Sequence, residues 1–114
     1  VFSFFKKKPL YIIHLSSDTG VPPIPVYDKR VTIGRGLNHV LTLPDNSISR
    51  NHLVVTFRNG EIMVMDLGTS NGSKLSGDVL PANVEVPYSK GQLLMLGKST
   101  IEIKFEIYVD AKAK

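Results

Sequence analysis

The sequence predicts an all-β sandwich with no substantial helix, and three observations carry that prediction. Apolar and polar residues alternate through TIEIKFEIY, residues 100–108, which is the period of a half-buried strand. HLVVTFR and EIMVMDL are β-rich runs separated only by Asn59 and Gly60, and a two-residue Asn-Gly link suits the type I′ turn whose twist matches paired strands. No window of a dozen residues spaces its apolar positions by three and four with caps at both ends. Many short strands with closely spaced turn signals favour two packed sheets, because one sheet of this size would leave an apolar face in water.

Taken in order, short apolar runs at 10–15, 24–27, 31–33 and 40–43 are each bounded by Gly, Pro, Asn, Asp or Ser, the residues that punctuate strands. The Asn59-Gly60 hairpin then covers 52–67, and NGSKLSGDVL after it reads as a loop between strands. A further run at 92–96 precedes the last strand, in which Ile101, Ile103, Phe105 and Ile107 share a face. The expected sandwich domain is 9–109, preceded by a basic and aromatic segment, 1–8, and followed by a tail or linker start, 110–114.

At 114 residues and 42% apolar, the chain has room for one modest core, which argues against a multi-domain enzyme. It contains no cysteine, so disulfides, thiolate metal sites and cysteine catalysis are excluded. The opening VFSFFKKK puts its aromatics before its lysines, the reverse of a signal peptide and far short of the ~20 residues of a membrane span. Contact of Phe2, Phe4, Phe5 and Lys6 to Lys8 with a membrane surface would be a single weak anchor. The net charge is +4, and residues 29–58 hold all four arginines, Arg30, Arg35, Arg50 and Arg58, against the single acid Asp45. Arginine suits forked recognition of carboxylate or phosphate, although on charge alone a solvated basic face is the simpler reading.

Gly68, Ser70 and Gly72 have the G-x-S-x-G spacing of a hydrolase nucleophile elbow. Such an elbow needs a helix leaving the serine, and the segment after Ser70 has no helical period. Gly34 and Gly36 begin a dinucleotide-binding fingerprint, but its sixth position is His39 and the next segment reads as a strand, where that fingerprint needs a helix N-terminus. His14, His39 and His52 show no metal-ligand spacing with Asp or Glu, so neither a metal nor a cofactor is expected.

Three polar loops remain: Gly34-Arg35, DNSISRNH at 45–52, and GTSNGS at 68–73. Loops at one end of a sandwich come together in space. Arg35 offers a guanidinium fork, Ser49 a hydroxyl, Arg50 a second cation, and Ser70 and Asn71 hydroxyl and amide groups, while glycines let backbone N–H groups approach an anion.

The ordered set Gly34-Arg35, Ser49-Arg50-Asn51-His52 and Ser70-Asn71-Gly72 resembles the forkhead-associated (FHA) domain family. The first two members match the family's Gly-Arg and S-x-x-H, the third its T/S-N-G. S-x-x-H alone is commonplace; the ordered triple is specific, and the strand pattern extends the likeness from about 9 to 109. The resemblance implies an eleven-stranded sandwich that binds a phosphothreonine peptide without catalysis. It implies that Arg35 and Ser49 contact the phosphate, Arg50 and Ser70 assist, and Asn71 bonds the peptide backbone. His52 would fix its loop through ring bonds to backbone, and Gly34 and Gly72 would serve backbone shape. Variable loops at about Pro44 to Ile48 and Ser73 to Gly77 would read the residue three after the phosphothreonine; they contain Asp45, Asn46, Ser47, Ser73 and Lys74.

Rival readings are a polynucleotide binder, a serine hydrolase using Ser70 with His52 as base, and a phosphate-independent interaction domain on the same scaffold. Polynucleotide binding would call for aromatics among the cations, yet Phe57 is the only aromatic between 29 and 58. The expected partner is therefore a phosphothreonine protein or peptide, with a monomer as the default state. Cytoplasm is the expected location, with the nucleus as alternative.

Overall fold

The computed structural model describes residues 7–109. Phe2, Phe4, Phe5 and Lys6 of the basic and aromatic segment, and the tail 110–114, lie outside the described residues. The ammonium of Lys7 stands 5.5 Å from the centre of the Tyr27 ring. Among the described residues no helix is long and apolar enough to cross a membrane.

Eleven strands form two sheets, and the helical content of the described residues is one 3-10 turn, Ser17–Thr19. The first sheet has the order β2 (Ile24–Val26), β1 (Tyr11–Leu15), β11 (Ile103–Ile107), β10 (Leu94–Leu96), β7 (Ser73–Leu75), β8 (Asp78–Val79). In the second the order is β4 (Leu41–Thr42), β3 (Arg30–Gly34), β5 (Leu53–Arg58), β6 (Glu61–Asp66), β9 (Val86–Tyr88). Strand pairing is antiparallel except between β3 and β4.

The centre of the second sheet explains itself from the sequence. In β6, Ile62, Val64 and Asp66 face the core and Glu61, Met63 and Met65 do not fully, as a period of two requires. Across the ladder Val64 pairs with Val55 and Asp66 with Leu53. Burying each such aliphatic side chain contributes about 2 kcal/mol. The two strands join through Asn59 and Gly60 at φ 54° and 76°, both positive as the type I′ turn demands. Between the sheets the Tyr11 ring stacks on Phe57 and meets Phe105 edge-on, at centroid distances of 5.9 and 5.7 Å.

Three strands differ from the sequence reading. β7 and β8 fall in the stretch read as loop and β9 in one left without a strand, because strands of two or three residues carry too little alternation to stand out. Pro87 sits in β9, at the edge of its sheet, the position where a residue without an N–H is tolerated. β7 and β8 turn through Ser76 and Gly77, at φ 48° and 90°. Ile107 also departs from expectation. It ends β11 opposite Tyr11 and is 42% exposed, whereas Ile103 and Phe105 are buried.

Candidate functional site

Strand direction sorts the arginines. Because β3, β5 and β6 are successively antiparallel, the end of β3, the start of β5 and the end of β6 meet at one end of the sandwich. That end carries Arg35, Arg50 and the loop after Asp66. Arg30 starts β3 and Arg58 ends the six-residue β5, which places both about 20 Å away at the opposite end. There Arg58 pairs with Glu85 at 2.8 Å. The single basic run of the sequence is thus two separate features.

Gly34 lets the first loop close on the second. A Cβ at Gly34 would collide with the Arg50 carbonyl, so no other residue fits without moving the chain. Next to it the Arg35 N–H donates to Ser49 O at 2.9 Å and the Gly36 N–H to Arg50 O at 3.1 Å. The half-buried Arg35 side chain donates from Nε to Ile48 O at 2.8 Å. This bond uses Nε and leaves the chemistry of the two terminal nitrogens for an anion. His39 reinforces the junction. Its Nε2 lies 2.6 Å from Arg50 O, and since a carbonyl only accepts, Nε2 carries the proton; its Nδ1 is 2.7 Å from the Thr32 hydroxyl.

His52 and Asp66 hold the third loop. His52 is fully buried, and Ser49 N–H donates to its Nδ1 at 3.0 Å, which again puts the ring proton on Nε2, donating to Gly72 O at 2.9 Å. One ring therefore ties the Ser49 loop to the Gly72 loop. Asp66, 2% exposed, stands where strand periodicity would place an apolar residue and is compensated by hydrogen bonds. It accepts from the N–H groups of Gly68 and Thr69, both at 3.0 Å, from the Thr69 hydroxyl at 2.8 Å and from the Ser73 hydroxyl at 2.6 Å. Burial pushes its pKa up, but the bonds from Ser73 and Thr69, with the nearby His52, outweigh burial and hold the carboxyl below its ordinary value. The Thr69 hydroxyl in turn accepts from Gly72 N–H at 3.0 Å.

Ser47 links the remaining pieces. Its N–H and hydroxyl donate to Asp45 Oδ1 at 2.8 and 2.7 Å, and its carbonyl accepts from Asn71 Nδ2 at 2.8 Å. On this surface Ser49 is half-buried, and Arg50, Ser70, Asn71 and Asn46 are exposed; Lys74, also exposed, lies in β7. The structure thus brings Arg35, Ser49, Arg50, Ser70 and Asn71 to one stitched loop surface. Ser73 is a correction: at 1% exposed and bonded to Asp66, it supports the loop from inside and presents nothing to a ligand. Likewise 73–77 is no variable loop but strand β7 and a two-residue turn.

Sequence reasoning missed Asp66, Thr69 and His39. For Asp66 a signal existed, since an Asp bonding the backbone two and three residues on is the habit of an Asx turn. His39 had none, because its partners lie seven and eleven residues away. A cleft of about 960 Å³ elsewhere, lined by His14, Tyr88, Phe105 and Glu106 among others, contains none of these residues. Among the described residues no three His, Asp or Glu side chains are grouped to hold a metal.

The model of the FHA domain matches residues 31–97. The chain belongs to the FHA domain family. FhaB of Mycobacterium tuberculosis is 33% identical to it over 81 residues, which are 71% of this chain and 51% of FhaB. FhaB of Mycolicibacterium smegmatis matches over the same extent, also at 33%. This FHA domain chain thus spans about half the length of the curated relatives it matches. Among solved structures, the N-terminal FHA domain of Saccharomyces cerevisiae Rad53p, in complex with a phosphothreonine peptide, superposes with TM-score 0.77 at 16% identity, covering 87% of this chain and 94% of that one. The FhaA FHA domain, complexed with the intracellular domain of Rv3910, gives 0.72 at 24% identity, covering 84% and 99%. These likenesses establish the FHA sandwich fold of the chain.

Proposed function

We propose that this FHA domain is a non-catalytic recognition module that binds a phosphothreonine-containing peptide, as in the Rad53p complex. In this reading Arg35 and Ser49 hold the phosphate, Arg50 and Ser70 assist, and Asn71 bonds the peptide backbone. The observation that carries it is the Arg35 side chain, half-buried and fixed through Nε to Ile48 O, beside Ser49 in a loop that Gly34 and His52 hold in place. A preorganised guanidinium and hydroxyl suit a dianion. A charged hydrogen bond is worth roughly 1.5 to 3 kcal/mol, so three or four of them, less the cost of ordering a peptide, give affinity of about micromolar.

Two observations weigh against the rivals. Both ring nitrogens of His52 are engaged with backbone, so it is not a base for Ser70, and the segment after Ser70 enters strand β7 instead of a helix. Phe57 stacks on Tyr11 and offers no platform to a nucleobase. The bacterial source of the FhaB relatives supports a cytoplasmic setting over a nuclear one.

Calorimetric titration with a phosphothreonine peptide library, the same peptides unphosphorylated, and phosphoserine versions tests the proposal. Wild type binds with micromolar affinity only when phosphate is present, and Arg35→Ala, still folded, loses binding. Equal binding of unphosphorylated peptide, or unchanged binding by Arg35→Ala, would overturn it in favour of a phosphate-independent interaction domain.

A further inference from the structure

A fourth segment lies against the candidate site, the turn between β10 and β11. Its Gly97 N–H donates to Gly72 O at 2.9 Å, and its Lys98 N–H donates to Ser47 Oγ at 2.8 Å. Gly97 has φ 58°, and a Cβ there would stand 2.5 Å from Ser47 O, so the turn rests directly on the β4–β5 loop. The same Ser47 carbonyl receives the Asn71 amide. Lys98 is therefore anchored by its backbone beside the residue proposed to hold the peptide chain. Its side chain is exposed, and among the described residues no hydrogen bond or ion pair engages its ammonium.

Charge around the site is one-sided. The loops and the adjoining strand β7 carry Arg35, Arg50, Lys74 and Lys98, against Asp45, whose Oδ1 is taken up by Ser47, and the buried Asp66, whose carboxylate is taken up by Gly68, Thr69 and Ser73. Arg35 and Arg50 are committed to phosphate in the proposed reading. Lys74 alternates with buried Ser73 and Leu75 and pairs with Met95, which turns it to the outer face of the first sheet. Lys98 is left as a compact, flexible cation beside the peptide path.

We infer that Lys98 is a specificity determinant that receives a carboxylate side chain of the bound phosphopeptide, so that this domain selects phosphothreonine peptides carrying Asp or Glu at one position near the phosphate. The inference rests on the phosphopeptide reading. An exposed ion pair of this kind changes affinity modestly and is screened by salt.

The experiment uses alanine-based phosphothreonine peptides in which Glu is walked through each of the four positions on either side. Binding is measured by calorimetry at two salt concentrations, with wild type, Lys98→Ala, Lys98→Arg and Lys98→Glu, each checked for fold by circular dichroism. At one position Glu tightens binding to wild type about two- to fivefold over Ala, most at low salt. Lys98→Ala abolishes that gain while binding the all-alanine phosphopeptide as wild type does, Lys98→Arg keeps it, and Lys98→Glu prefers Lys there. If phosphopeptides bind but Glu gains nothing at any position, or the gain survives in Lys98→Ala, the inference falls and the proposed function stands. Failure of folded wild type to bind any of the phosphopeptides overturns both.

Discussion

The two ends of the sandwich solve the problem of leaving a strand in opposite ways. At the end holding Arg58 the chain reverses as briefly as it can, with Asn59 and Gly60 closing β5 onto β6. At the other end loops of several residues are held by polar side chains that bond the backbone of neighbouring loops: His52 to Gly72 O, Asn71 to Ser47 O, Arg35 to Ile48 O. The first end draws its stability from aromatic packing of Tyr11, Phe57 and Phe105. The second draws it from a buried polar network, which fixes donors in space but penalises any missing partner. The second arrangement is the one that suits the charged ligand proposed for this surface.

The sharpest way to break this contrast is Asp66→Ala, which strips four hydrogen bonds from the loop and leaves the buried Ser73 hydroxyl without its acceptor. A loss of about 3 kcal/mol is expected, read as a lower denaturation midpoint; a loss below ~1 kcal/mol would mean that the network does not hold that end. Its titration supplies a second check. The folded pKa of Asp66 lies below the ordinary carboxylate value, so its contribution is present above about pH 4 and fades as pH falls through the lowered folded value. Thermal melts of Asp66→Asn between neutral and acid pH should show a shallower acid-side fall than wild type.

Next in size is Gly34→Ala, where the new methyl meets the Arg50 carbonyl. About 2 kcal/mol is lost, and peptide binding weakens with it because Arg50 must shift. Tyr11→Phe, in the aromatic core, has the opposite sign. The Tyr11 hydroxyl is buried without a hydrogen-bond partner among the described residues, and burial pushes its pKa up, so removing it should stabilise the fold by about 1 kcal/mol, read as a higher midpoint with binding unchanged. Smallest of all is Arg58→Ala. Its pair with Glu85 lies at the surface, open to solvent, where screening leaves an ion pair little net effect, and neither the midpoint nor peptide binding should move beyond experimental error; weaker peptide binding would mean that the two arginine sites are not separate.

Those contrasts also show where the sequence was legible. The hairpin from β5 to β6 was readable because alternation and turn chemistry are local, and Gly34-Arg35, Ser49 to His52 and Ser70 to Gly72 were readable as an ordered pattern of polar residues in loops. Ser73 was misplaced because a serine in a polar stretch looks the same whether its hydroxyl meets solvent or Asp66. His39 and Lys98 were passed over because their roles depend on Arg50 O and Ser47 Oγ, eleven and fifty-one residues away.

By itself, then, the sequence determined an all-β sandwich, its central hairpin and the polar loops at one end, all set by the period of two and by turn residues acting over a few positions. Tertiary structure alone decided which arginines share an end, that Asp66 and Ser73 face inward, and that the β10–β11 turn lies against the site. Strand direction and long-range hydrogen bonds fix those relations, and both join residues that the chain keeps far apart.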